Sequence, residues 1–153
     1  MDAQEKRILS ILGTSCKTCK SYEEDDECEV CEHCEVNKAA SLKYMQYISS
    51  SINRPCHLTG VEDFPWEEKY ILGGGDKKEY ERLKKDNPSC ADTFELIELS
   101  PGSKNENFDI VAKVKRISDD QIFQIGLSWL KSIKENDPNY ELLHDYAVWH
   151  VNY

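Results

Sequence analysis

The chain has 153 residues, 39% of them hydrophobic and 31% charged, which suffices for an ordinary domain with a buried core and is too apolar for a disordered chain. Its 29 acidic side chains against 19 basic ones leave a net charge of -10, which excludes a general binder of nucleic acid or of anionic membranes, because both carry the same sign. No apolar run approaches the roughly 20 residues that a membrane helix needs, and the first residues lack the basic-then-apolar order of a signal peptide, so the expectation is a cytoplasmic protein with no membrane association.

Residues 2–12 read as a helix, with Ile8, Leu9, Ile11 and Leu12 as its apolar side and Gly13 at its end. The cysteines follow. They stand at 16, 19, 28, 31, 34, 56 and 90, and the first five fill nineteen residues as C-x2-C-x8-C-x2-C-x2-C. An odd count without a secretion signal argues for metal rather than a disulfide framework. Two residues between cysteines suit a tight turn that offers two thiolates to one ion, and a Zn²⁺ ion wants four such ligands in a tetrahedron. Cys16, Cys19, Cys31 and Cys34 make the best set, with Cys28 as the alternate ligand in the second pair. His33 then reads as an exposed polar residue. The run Cys28, Cys31, Cys34 also matches part of a ferredoxin-type motif, although the usual continuation to a Cys-Pro is missing, so an iron–sulfur cluster is the alternative cofactor. From residue 22 to 35 there are eight acidic side chains and no Lys or Arg. This run reads as a solvated loop tip, and in its sharper version as an acidic docking surface for a basic partner.

After Cys34 the positions Val36, Ala40, Tyr44, Ile48 and Ile52 share one stripe at helical spacing. The second cysteine pair would lie at the start of that helix, where free N–H groups favour thiolates. A knuckle followed by a helix that carries the last two ligands resembles the treble-clef pattern, and the C-x2-C…C-x2-C spacing resembles zinc ribbons. The resemblance covers residues 13–52. It implies a closed, structural metal site and no particular activity.

The stretch from Arg54 to Gly60 breaks out of the helix, and Cys56 and His57 within it read as a loop with a small buried thiol, or else as ligands of a second site. Phe64-Pro65-Trp66 forms an aromatic loop. The glycines at 73–75 match no nucleotide-binding pattern; with Asp76 and Glu79 they mark a helix start, and the helix runs to about Lys85. Residues 93–99 form a strand. Alternation of Phe108, Ile110, Ala112 and Val114 with Asp109, Val111, Lys113 and Lys115 gives a second, and residues 121–127 a third. Ser128 caps a short helix with Trp129, Leu130 and Ile133 on its apolar side, which ends at Asn136-Asp137-Pro138. The last eight residues alternate as a strand, with Ala147, Trp149 and Val151 inward.

The expected fold is therefore α+β: an N-terminal helical zinc-knuckle module over residues 1–58, then a domain over 59–153 with a small antiparallel meander, a returning C-terminal strand and two helices. Cys90, His144, Asp145 and His150 offer the ingredients of a nucleophilic site, but nothing in their spacing assembles one, and no catalytic residue is assigned. Trp66, Trp129 and Trp149 read as core aromatics. The expected function is a zinc-stabilised protein-interaction or adaptor module. The alternatives are an iron–sulfur redox sensor and an acidic inhibitor or immunity-type protein that blocks a basic nuclease or toxin. The expected partner is another protein, in the sharper version a basic one, and the oligomeric state is not encoded in any motif.

Overall fold

The computed structural model describes residues 3–12, 35–71 and 76–153. The first two helices form where the apolar spacing demands them. Helix α1 spans Ala3–Leu12 and buries Ile8 and Leu12. Helix α2 spans Lys38–Ser51; the Asn37 side chain accepts from the Ala40 N–H at 2.9 Å and so satisfies one free donor of the first turn, and Ala40, Tyr44 and Ile48 are buried on the expected stripe. Lys43 donates to the Leu12 carbonyl at 3.3 Å, fastening the end of α1 to α2.

Five antiparallel strands make one sheet: β1 (His57–Gly60), β2 (Phe94–Ser100), β3 (Val111–Arg116), β4 (Ile122–Gly126) and β5 (Leu130–Ser132), in the order β4-β3-β2-β1-β5. Register places Leu58 opposite Phe94, Leu96 opposite Val114, and Ala112 opposite Ile125, so one face is apolar and buried. The other face carries Glu95 opposite Lys115 and Glu98 opposite Lys113, pairings suited to water. A bulge between Leu96 and Glu98 breaks the β2–β3 ladder, and Arg54 donates to the Leu96 and Ile97 carbonyls there at 3.1 and 3.0 Å.

The order of strands has a geometric consequence. Strands β4 and β5 lie at opposite edges, yet only Leu127–Trp129, a 3-10 turn, separates them. Four Cα steps reach at most about 14 Å, whereas a flat five-stranded sheet is roughly 19 Å across. The sheet must therefore curl until its two edges approach each other at this end. Two hydrogen bonds hold the closing turn, Leu127 N–H to Ile110 O at 2.7 Å and Val61 N–H to Trp129 O at 2.8 Å.

Three shorter or later helices complete the fold: α3 (Pro65–Ile71), α4 (Lys77–Leu83) and α5 (Pro138–Asn152). Tyr44, Tyr146 and Trp149, all with no exposed surface, pack α2 against α5 with ring centroids 5.1 to 5.8 Å apart. Helix α1 joins them through Arg7, whose guanidinium forks onto Asp145 at 2.8 and 3.1 Å, while Gln4 donates to the same carboxylate at 3.0 Å. One buried cluster runs from Ile8 through Phe94 to Trp149.

The α+β class and the antiparallel sheet stand as expected, with corrections. The returning C-terminal strand is helix α5: Asp137 caps it through a 3.0 Å bond from Asn139 N–H and Pro138 opens it, so Asn136-Asp137-Pro138 starts a helix and does not end one. The helix expected after Ser128 is the closing turn followed by strand β5. The aromatic stretch at Phe64 enters helix α3, and residues 57–60, expected as loop, form the inner strand β1 between β2 and β5. The zinc-knuckle module is not part of what the structure shows: the five clustered cysteines, the acidic run at 22–34 and the glycines at 73–75 lie outside the described residues. Among the described residues, no helix is long and apolar enough to cross a membrane.

Candidate functional site

At the curled end of the sheet a cleft of about 970 Å³ opens between β4, the closing turn, α3 and α5. Its floor is set by Asp109. The chain approaches through the 3-10 turn Lys104–Glu106, and then Asn107 and Phe108 take left-handed backbone angles, φ 51 and 56. That conformation costs a non-glycine residue about 1–2 kcal/mol, and it is held by the Phe108 N–H bond to Ser103 O at 2.8 Å and the Ser41 hydroxyl bond to Phe108 O at 2.7 Å. The turn drives Asp109 inward, where it is 4% exposed.

Three donors meet this carboxylate. The Ser128 hydroxyl and N–H donate to Oδ2 and Oδ1 at 2.6 and 3.1 Å, and the Tyr146 hydroxyl donates to Oδ1 at 2.7 Å while accepting from Ile110 N–H at 2.8 Å. Burial, reinforced by the Asp109 charge, lifts the Tyr146 hydroxyl well above the ordinary tyrosine range and keeps it a donor. Gly126 is required beside it: a Cβ there would collide with Asp109 Oδ2. Among the described residues no Lys, Arg or His stands within ion-pair distance of Asp109.

The walls are aromatic and aliphatic. Helix α5 turns Leu143, Tyr146 and Trp149 to the core and Tyr140, His144, Val148 and Val151 to the cleft. Trp129 and Phe64, perpendicular with centroids 6.3 Å apart, face them, and Trp66 is pinned by its indole N–H on Pro88 O at 2.6 Å. Glu62, Glu106 and Lys131 bring charge to the lining. His150 lies with Nε2 3.0 Å from Asn107 O; a carbonyl only accepts, so Nε2 carries the proton.

A second buried carboxylate, Glu67 of α3, has no exposed surface and organises a neighbouring cluster. It accepts from the Tyr80 hydroxyl at 2.6 Å, Cys90 N–H at 2.7 Å and the Ser89 hydroxyl at 2.9 Å. Burial alone would raise its pKa; these bonds, with one from Phe64 N–H, outweigh it and lower the pKa below the usual range.

The sequence-predicted candidates do not converge. Cys90 Sγ points to Asp63 at 3.5 Å, and burial, with Glu67 and Asp63 nearby, pushes its thiol up to about 11, the reverse of an activated nucleophile. His144 stacks on Tyr140 at 5.9 Å, His150 is spent on Asn107, and Asp145 faces Arg7. Cys56 is the buried thiol expected, pushed up to about 11 chiefly by burial, while His57 beside it is exposed, so the two share no ion. Of the tryptophans only Trp149 is a fully buried core residue; Trp66 and Trp129 line the cleft. Asp109, Ser128 and Tyr146 were not legible as a group, because the β3–β4 register, which sets Val111 opposite Gly126, and the packing of α5 together bring three distant positions to one place.

No protein-family model matches the chain, and no curated protein sequence matches it. Among solved structures, one described as "Calcium binding protein in the calcium-binding form" superposes with a TM-score of 0.53 at 14% identity, covering 99% of this chain and 91% of that one. The crystal structure of Anabaena CcbP gives a TM-score of 0.47 at 16% identity, covering 85% and 89%. These findings correct the expected Zn²⁺ and iron–sulfur cofactors and, with them, the zinc-ribbon and treble-clef labels. The first neighbour, alike along nearly the whole chain, is a calcium-binding protein, and among the described residues no three His, Cys, Asp or Glu side chains are grouped to hold a metal.

Proposed function

We propose that the chain is a small acidic binding protein whose metal ligand is Ca²⁺. The observation that carries this reading is the likeness over 99% of the chain to a structure described as a calcium-binding protein in its calcium-binding form. The composition agrees, since Ca²⁺ takes hard oxygen ligands and 29 carboxylates with a net charge of -10 supply both donors and field. The described residues do not themselves fit a closed calcium cage. Their buried carboxylates Asp109, Glu67 and Asp145 are engaged by protein donors, and no three ligands converge. Calorimetric titration and thermal scans of the full chain test the Ca²⁺ reading. Saturable Ca²⁺ binding with a rise in Tm that EGTA reverses is expected; an effect no larger than that of Mg²⁺ at equal ionic strength would refute it.

A second reading is favoured by the cleft: the chain is also a protein-interaction or adaptor module. An apolar wall that includes Val151, 76% exposed, is an arrangement that protein surfaces keep for partners. Acidic inhibition of a basic protein is one form such a module takes. The thiols of Cys56 and Cys90, both free, support a reducing compartment, and we place the protein in the cytoplasm.

A further inference from the structure

We infer that the cleft docks a segment of a partner protein that combines apolar side chains with lysine or arginine; this rests on the reading of the chain as an interaction module. Two independent features converge on that chemistry. The first is shape. Helix α5 presents a second row toward the cleft, Tyr140, His144, Val148 and Val151 at helical spacing; Val148 also packs on the core, whereas Val151 is 76% exposed. Across from it stand Trp129 and Ile125, with the exposed Val61 at the margin. A groove of about 970 Å³ between a helix face and aromatic rings takes several side chains of an extended or helical segment.

The second feature is charge. Asp109 at the floor is a buried carboxylate with three hydrogen-bond donors and, among the described residues, no cation. Hydrogen bonds hold such a charge in place without cancelling its field. Glu62 and Glu106 add to that field, with Lys131 as the only Lys or Arg in the lining among the described residues. The chain as a whole carries -10. An acidic segment would be repelled from the mouth, a neutral one would leave the field unanswered, and a basic one is drawn in and meets Trp129 and Tyr140, whose ring faces also attract cations.

The test uses the full chain and synthetic amphipathic peptides of leucine and lysine, with glutamine-for-lysine counterparts, titrated by calorimetry at two salt concentrations. The leucine–lysine peptide should bind, and the glutamine version roughly tenfold more weakly or worse. Because an acidic protein attracts cationic peptides anywhere, location is read from variants at exposed positions. Val61→Ser with Val151→Ser should weaken binding about tenfold, and Glu62→Gln with Glu106→Gln should reduce its salt dependence. Binding indifferent to these substitutions overturns the inference. Equal, cleft-dependent binding of the glutamine peptide overturns the basic partner and leaves the interaction module standing. Binding of neither peptide overturns both.

Discussion

A carboxylate keeps its charge away from water only where donors surround it, and Glu67 and Asp109 meet that condition in different ways. Glu67 draws two hydroxyls and a backbone N–H from residues 80, 89 and 90, so it welds α3 and α4 to the segment before β2. Asp109 depends on a missing side chain, because Gly126 vacates the space that Oδ2 occupies. Replacing Gly126 with Ala is expected to push the carboxylate off Ser128 and cost about 1–3 kcal/mol, measurable as a lower urea midpoint at unchanged slope. Alternation in the sequence placed Asp109 on an outward strand face. That reading fails at Asn107 and Phe108, whose left-handed backbone delays the strand to Val111; Asn is a residue type that enters this region readily, but a Phe there is not announced by the sequence.

At the level of elements, Arg116 shows how one side chain of β3 fixes the end of α4. Its guanidinium donates to the carbonyls of Lys84, Lys85 and Asn87 at 2.7 to 2.9 Å, to Asp92 at 3.0 Å and, as a fork, to Asp119 at 2.7 and 3.0 Å. The Arg116 bond draws the Asp119 carboxyl down to about 2 from an ordinary 3.8. A depressed carboxyl stabilises the fold fully above its unfolded pKa and loses that contribution as pH falls through the folded one. Stability should therefore decline between about pH 4 and 2, and Asp119→Asn should flatten that part of a Tm-against-pH curve. Elements with a clean period were legible: α1, α2, β2 and β4 lie within a residue or two of where apolar spacing put them. Those at the closing turn were not. Strand β5 has only three residues, too few for a period, and α5 presents apolar residues on both faces, so its last eight residues mimic a strand's alternation. The signal that decides it, Asp137-Pro138 as a cap and first turn, reads equally well as a stop.

For the whole molecule, the candidate site was less visible than the fold, because the loudest sequence feature lies outside the described residues and nothing in the sequence marks the cleft. The cysteine run dominates the sequence, while the cleft is built from Trp129, Tyr140, Val148 and Asp109, residues that look like ordinary core or surface one at a time. The turn that creates the cleft also ties the fate of the sheet's two margins. In most sheets the outermost strands breathe separately, each at its own free energy. Here three residues span from one margin to the other, so β5 cannot lift from β1 without slackening the bonds at Leu127 and Trp129 that seat the end of β4. Native-state hydrogen exchange should show the amides of β4 and β5 merging into one opening isotherm as denaturant rises, and two separate isotherms would contradict it. Lengthening the 127–129 link by a few glycines should uncouple them, converting a ring-like cooperative unit into a sheet with two loose ends.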